Sequence, residues 1–327
     1  MRGWRVHELG EPADVLAWHE DLPDPEPGAG QVLVRVHAVA CNFPDILVCQ
    51  GKYQEKPPLP FTPGLEIAGE VVAAGEGARA AVGDRVIGTP PMGHGGYAEL
   101  ALLDAEATLP WPSGMSAGQA AGMFITYQTG YCALHRRGRL QAGETLLVHA
   151  AAGGVGSAAV QLGKAAGARV IGTAGGAEKC ALAKELGADE VVDYAAEDMV
   201  ARVKELTGGR GADVIFDPVN GDVFDASRRL VAFEGRILVI GFVAGRFADA
   251  PTNHMLVKNY EVVGVHWGFY RQMDPRRIPE WQDALNALWA RREIDPLVGV
   301  ELPLREAPEA LRRLASRGTT GKVVLLP

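Results

Sequence analysis

The chain predicts an α/β protein in which a doubly wound parallel sheet sits between β-rich segments. Three observations predict it: apolar and polar residues alternate in the first third, a strand-then-helix rhythm begins after Tyr127, and a glycine-rich turn joins the first strand of that rhythm to its helix.

The bulk numbers fit this architecture. With 327 residues the chain exceeds the size at which one core keeps growing, so two domains are expected. Hydrophobic residues at 47% and charged residues at 22% are ordinary globular usage. A formal charge of -8 disfavours nucleic acid as the main partner, because phosphate binding needs a basic face, and fits a small-molecule substrate. Cys41, Cys49, Cys132 and Cys180 are too scattered for a disulfide framework, which predicts a reducing, cytoplasmic home. The first ten residues lack the apolar core of a signal peptide, and no stretch approaches the ~20 apolar residues of a membrane span.

Taken in order, residues 31–39 alternate as a strand and 65–87 are strand-like, punctuated by Gly75, Gly77, Gly83 and the turn at Asp84. Pro57, Pro58, Pro60 and Pro63 form a stiff loop, since each ring fixes φ and removes a donor. After Tyr127, strands are predicted at 145–150, 169–173, 190–193, 214–217, 236–240 and 261–265, with the clearest helices at 155–166, 177–186, 199–206 and 223–233. From about Trp267 come helices at 279–290 and 307–316 and a last strand at 322–326; with six strands already placed, this tail is expected to return to the first domain. The predicted division is therefore 1–126 with 267–327, and 127–266.

The strand Leu146, Leu147, Val148 runs into His149, Ala150, Ala151, Ala152, Gly153, Gly154, Val155 and Gly156, and an Ala-rich helix follows. Strand, turn and helix in register are the context that makes a glycine motif a dinucleotide site. Gly153 lets the backbone approach a pyrophosphate and Gly156 lets the helix pack on the strand, while the helix N-terminus supplies amides and positive dipole. Ala151 replaces the usual first glycine. The second strand ends at Thr173, Ala174, Gly175, Gly176 without the acid that would hold a ribose 2′-OH. Lys179 and Tyr194 converge there as point charge and hydroxyl donor, unless they are a solvated helix lysine and a packed ring. The missing acid favours NADP(H).

With these features in place, the sequence resembles the medium-chain dehydrogenase/reductase superfamily, and within it the zinc-independent, zeta-crystallin-like quinone oxidoreductases. The resemblance rests on Ala40-Cys41-Asn42-Phe43-Pro44-Asp45, Gly51-Lys52-Tyr53, Pro63-Gly64-Leu65-Glu66-Ile67-Ala68-Gly69, Val82-Gly83-Asp84-Arg85-Val86, Gly95-Gly96-Tyr97-Ala98-Glu99, the glycine turn and Thr320-Gly321-Lys322. It implies a GroES-like catalytic β domain made by both chain ends, with a Rossmann domain inserted. Where the superfamily's alcohol dehydrogenases hold catalytic zinc, this chain has Asn42, Leu65 and the stretch Phe124-Ile125, and Cys41 lies one residue from a ligand position. Zinc takes Cys, His and carboxylate ligands, so no metal is expected.

The resemblance also implies site residues. Asn42, Asp45 and Tyr53 line the active-site cleft near the nicotinamide, with Tyr53 the donor to a substrate oxygen. Structural readings stand beside these: Asp45 capping a helix, Asn42 satisfying backbone groups, Tyr53 packing among rings. Cofactor contacts are implied for Asn42, Thr129, Ala152, Gly153, Gly154, Val155, Thr173, Gly175, Lys179, Tyr194, Gly241, Phe242 and Lys322, with Asn259 a weaker carry-over. The ring-rich run His266-Trp267-Gly268-Phe269-Tyr270 either walls a planar substrate or forms core. Without a Lewis acid the expected acceptors are quinones and α,β-unsaturated carbonyls, reduced by NADPH. An enoyl-thioester reductase and a non-catalytic, redox-sensing NADPH-binding protein are the alternatives. Homodimers through the edge strand at 261–265 are usual in the family.

Overall fold

The computed structural model describes residues 1–327. The chain forms two compact units, Met1–Ile125 with Pro296–Pro327, and Thr126–Asp295. In chain order the elements are β1 (Gly3–Val6), α1 (Pro12–Val15), β2 (Leu16–His19), β3 (Gln31–Cys41), α2 (Phe43–Cys49), β4 (Ile67–Ala74), β5 (Arg85–Gly88), β6 (Leu100–Asp104), β7 (Thr108–Pro110) and α3 (Ala117–Tyr131). The unit boundary falls inside α3. The second unit continues with β8 (Thr145–Val148), α4 (Gly154–Ala165), β9 (Arg169–Ala174), α5 (Ala177–Glu185), β10 (Glu190–Asp193), α6 (Met199–Leu206), β11 (Ala212–Asp217), α7 (Asp222–Leu230), β12 (Val231–Val239), α8 (Thr252–Lys258), β13 (Glu261–Gly264), α9 (Trp267–Met273) and α10 (Arg277–Ala290). The return to the first unit consists of β14 (Val298–Pro303), α11 (Ala307–Ala315) and β15 (Lys322–Leu326).

The first unit is built on a sheet of order β14-β15-β3-β4-β5-β7, with β6 also paired to β3. Alternate valines of β3, Val32, Val34 and Val36, pack with Val71, Val86 and Leu103 in its core. Burying such side chains contributes about 1.5–3 kcal/mol each. The join that matters for the site is antiparallel, with Val323 of β15 opposite Cys41 of β3, so the residue before Val323 lies beside the start of α2.

The second unit holds a parallel sheet of order β10-β9-β8-β11-β12-β13, the doubly wound order in which ligands lie beyond the carboxyl ends of the strands. Leu147, Ile171, Val192, Ile215 and Ile237, one from each of five strands, form the buried centre of one face.

Two readings of the sequence are corrected here. The segment from Trp267 to Asp295 belongs to the second unit rather than the first, because its rings find burial there. The Trp267 indole Nε1–H donates to Gln128 Oε1 at 3.1 Å, and Tyr270 meets Trp281 edge to face at 5.1 Å. Of the ring run, Trp267 is core and Tyr270 half-buried, whereas His266 and Phe269 are exposed. The helix expected at 223–233 stops at Leu230, because Val231 pairs in parallel with Ala212 and is buried with Ala232 in the sheet. No helix is long and apolar enough to cross a membrane.

Candidate active site

In the second unit the expected cofactor residues gather at one edge of the sheet. The glycine turn leaves β8 with Ala150 in the left-handed region at φ 51°, a conformation that costs a non-glycine residue energy and is held by local bonds. Ala151 N–H donates to Thr173 O at 3.0 Å and Gly153 N–H to Ala150 O at 2.9 Å. Gly153 then begins α4 with no side-chain cap, so the first-turn amides keep their outward donors. Gly153, Gly154 and Val155 are half-buried, whereas Ala151 and Ala152 lie beneath the turn. A Cβ on Gly156 would lie 2.0 Å from Ala150 O, so only glycine lets helix and turn approach this closely. This cradle fits a dinucleotide pyrophosphate.

The neighbouring strand ends complete the edge. The Tyr194 ring, 56% exposed, packs on Gly175, and Lys179 is half-buried in the first turn of α5. Gly241 follows β12, and Phe242 meets Phe247 edge to face at 4.7 Å, both rings exposed. Thr129 is half-buried on α3. Thr173, expected at the cofactor, is instead 1% exposed and turned inward to His149. Asn259 has a structural role: it ends α8 at φ 52°, where its carbonyl accepts the Glu234 N–H at 2.7 Å.

His149 is the buried pivot of this edge. Ser227 Oγ–H donates to Val223 O at 2.8 Å, so the His149 Nε2–H must donate to Ser227 Oγ at 2.9 Å, and Nδ1 must accept from Thr173 Oγ1 at 3.0 Å. The imidazole is thus a neutral Nε2–H tautomer; burial lowers its pKa, a pull that Asp217 opposes.

In the first unit, Asn42, Asp45 and Lys322 come together in a buried polar cluster with Glu66, Tyr97 and Cys41. Lys322 Nζ donates to Asn42 Oδ1 at 2.7 Å and Cys41 O at 3.0 Å, and lies 3.6 Å from Glu66 Oε2. Asn42 Nδ2 donates to Ala40 O at 3.1 Å and Glu66 Oε2 at 3.0 Å. The ammonium only donates and the carbonyl only accepts, so the amide cannot flip and Asn42 offers a ligand an acceptor alone. Lys322, expected to reach the cofactor, is committed to this cluster. Asp45 Oδ2 accepts the Asn42 N–H at 2.7 Å and the Tyr97 hydroxyl at 3.4 Å, the first bond being the helix-capping role. Burial pushes Asp45 up to about 6 and Glu66 up to about 7, with Lys322 pulling both back. It also lifts the Cys41 thiol to about 12 and the Tyr97 hydroxyl well above its usual range. Tyr53 is half-buried against the apolar core of this unit.

With the geometry described, comparison with known proteins is decisive. Residues 28–113 match the alcohol dehydrogenase GroES-like domain and residues 154–289 the zinc-binding dehydrogenase domain. A quinone oxidoreductase-like protein 2 homolog of Nematostella vectensis is 41% identical, over 99% of this chain and 88% of that protein. The chain belongs to the quinone oxidoreductase family of medium-chain dehydrogenase/reductases. Among solved structures, the Escherichia coli quinone oxidoreductase complexed with NADPH is 32% identical with a TM-score of 0.92, over the whole of both chains. The Thermus thermophilus quinone oxidoreductase, solved also in complex with NADPH, is 36% identical with a TM-score of 0.84 over the same extent.

One matching domain is named for zinc, but the residues of this quinone oxidoreductase family member do not fit the ion. No three His, Cys, Asp or Glu side chains gather as metal ligands, and the polar cluster of the first unit is filled by an amide and an ammonium.

Sequence reasoning missed Glu66, His149 and Asp193. Each carried a signal, namely a polar residue at the edge of an apolar run, which is buried only with partners. Asp193 ends β10, and its Oδ1 accepts the Gly176 N–H at 2.9 Å and the Ala195 N–H at 3.0 Å. A carboxylate therefore does stand near Tyr194 and Lys179, on the third strand rather than the second.

Proposed function

We propose that this chain is a zinc-independent reductase that uses NADPH to reduce quinones or α,β-unsaturated carbonyls, working in the cytosol as a homodimer. Full-length kinship with quinone oxidoreductases carries the reading; the open glycine cradle supports its cofactor. When bound, NADPH supplies the hydride. Gly153, Gly154 and Val155 would present amides to the pyrophosphate, with Ala152 beneath them and Thr173 bracing the turn through His149. Lys179 and Tyr194 would hold the 2′-phosphate beside Gly175, while Thr129, Gly241 and Phe242 would border the rest of the cofactor. Asn42 would orient it as an acceptor. Tyr53 would orient the substrate oxygen through a hydrogen bond, since the Asn42 amide has no donor left. The residues at the zinc-ligand positions leave no Lewis acid, which favours acceptors that take hydride readily.

For assembly, β13 is the edge strand of its sheet, with Leu256 and Val257 of the preceding α8 exposed at 77% and 75%, and it is the edge we assign to dimer pairing. Gel filtration should give twice the monomer mass. Steady-state assays of NADPH and NADH against a simple quinone, an enone and a crotonyl thioester test the chemistry. We expect quinone or enone turnover with NADPH preferred; turnover confined to the thioester would replace this reading with an enoyl-thioester reductase. Tight NADPH binding without any turnover would replace it with a redox-sensing role.

A further inference from the structure

We propose that Asp45 and Glu66 together hold one proton at neutral pH, balanced against the single ammonium of Lys322, and that this is the proton consumed when the substrate is reduced. The second half rests on the reductase function proposed above. Charge counting within the cluster motivates it. Asp45 is 1% and Glu66 0% exposed; Lys322 lies 3.6 Å from Glu66 and acts on Asp45 through its charge alone. Two buried carboxylates against one ammonium would leave an uncompensated charge out of water, and the cheaper state binds a proton. The groups facing the pair are Cys49 from α2, Cys41 from β3, Tyr97 from the segment before β6 and Lys322 from β15; of these only Lys322 is a base, and burial keeps both thiols and the phenol from adding negative charge. Because the carboxyls are coupled through Lys322 and Asn42, the proton belongs to the pair.

Asp45 lines a narrow cavity with Val48, Phe61, Leu65, Pro91 and Met92, and its Oδ1 has no hydrogen-bond partner; Glu66 Oε1 has none either. In the reaction, hydride from NADPH adds to the quinone, which is reduced while NADPH is oxidised, and one O–H bond of the pair breaks as its proton moves to the substrate oxygen. Solvent then returns a proton to the carboxylate left behind.

Infrared spectroscopy of the whole protein without ligand tests the count. At pH 7 we expect a carboxylic-acid C=O band that disappears as the pH rises. Asp45→Asn or Glu66→Gln should each remove it, since one carboxylate then faces one ammonium, whereas Lys322→Met should roughly double it. In turnover with saturating NADPH and a quinone, wild-type kcat should fall about tenfold per pH unit above the titration of the pair, and Asp45→Asn should lower kcat and flatten that limb. No acid band in the wild type at neutral pH overturns the proposal, and so does an unaltered pH limb in both carboxyl variants. The wild-type titration decides the count even where a variant fails to fold. A wild type that shows the band but reduces no quinone upholds the bound proton and overturns the reductase reading.

Discussion

At the scale of single residues, the glycine turn shows how little freedom the cofactor cradle has. A methyl group at Gly156 would sit 2.0 Å from Ala150 O and 2.8 Å from Ala150 C, both backbone atoms that cannot rotate away. Gly156→Ala should therefore cost on the order of 3 kcal/mol of stability and abolish tight NADPH binding, as thermal unfolding and fluorescence titration would report. Lys179 tests cofactor choice: removing one charge from a phosphate should raise the KM for NADPH about tenfold and leave that for NADH unchanged in parallel steady-state assays. Legibility at this scale divides sharply. Gly153, Gly156 and Tyr194 announce themselves because turn chemistry and strand ends are local. Glu66 and Lys322 do not, because their pairing depends on a contact made across most of the chain, which no spacing encodes.

At the scale of elements, strands with a β-branched centre and helices with a clear stop were legible, and 190–193 and 199–206 coincide with β10 and α6. The error at β12 has a physical source. Val231 and Ala232 continue the apolar spacing of α7, and only the parallel partner at Ala212 makes extended structure the better use of them. The short helix α9 was missed because the burial of Trp267 rather than propensity holds it. By contrast α6 advertises its start: the Asp198 carboxylate accepts the Val200 and Ala201 N–H groups at 2.8 and 3.0 Å. Asp198→Ala should cost about 1 kcal/mol in urea unfolding without changing NADPH affinity.

For the molecule as a whole, the two units should respond to pH in opposite senses. In the first, Asp45 and Glu66 are raised from ordinary values of 3.8 and 4.5 to about 6 and about 7, mainly by burial. Their contribution is full below the ordinary values and is lost as pH rises through the folded ones. In the second, His149 is lowered from 6.5 by burial, so its contribution is present above that value and lost as pH falls through the folded one. Hydrogen exchange corrected for intrinsic rates should show peptides of β3 and β15 losing protection between pH 5 and pH 7.5, and peptides of β8 and β9 losing it towards acid. Equal slopes in both sets would contradict this assignment. The second unit was legible as a domain, but its C-terminal boundary was not, because the rings of α9 and α10 choose their burial by three-dimensional fit. The placement of β15 against β3 carries a consequence for biosynthesis. A ribosome delivers Glu66 and Asp45 early and Lys322 only after every residue of the second unit has been made. Until then the nascent first unit lacks β14, β15 and the counter-charge for its two acids, so its sheet is completed only after the inserted unit has been made.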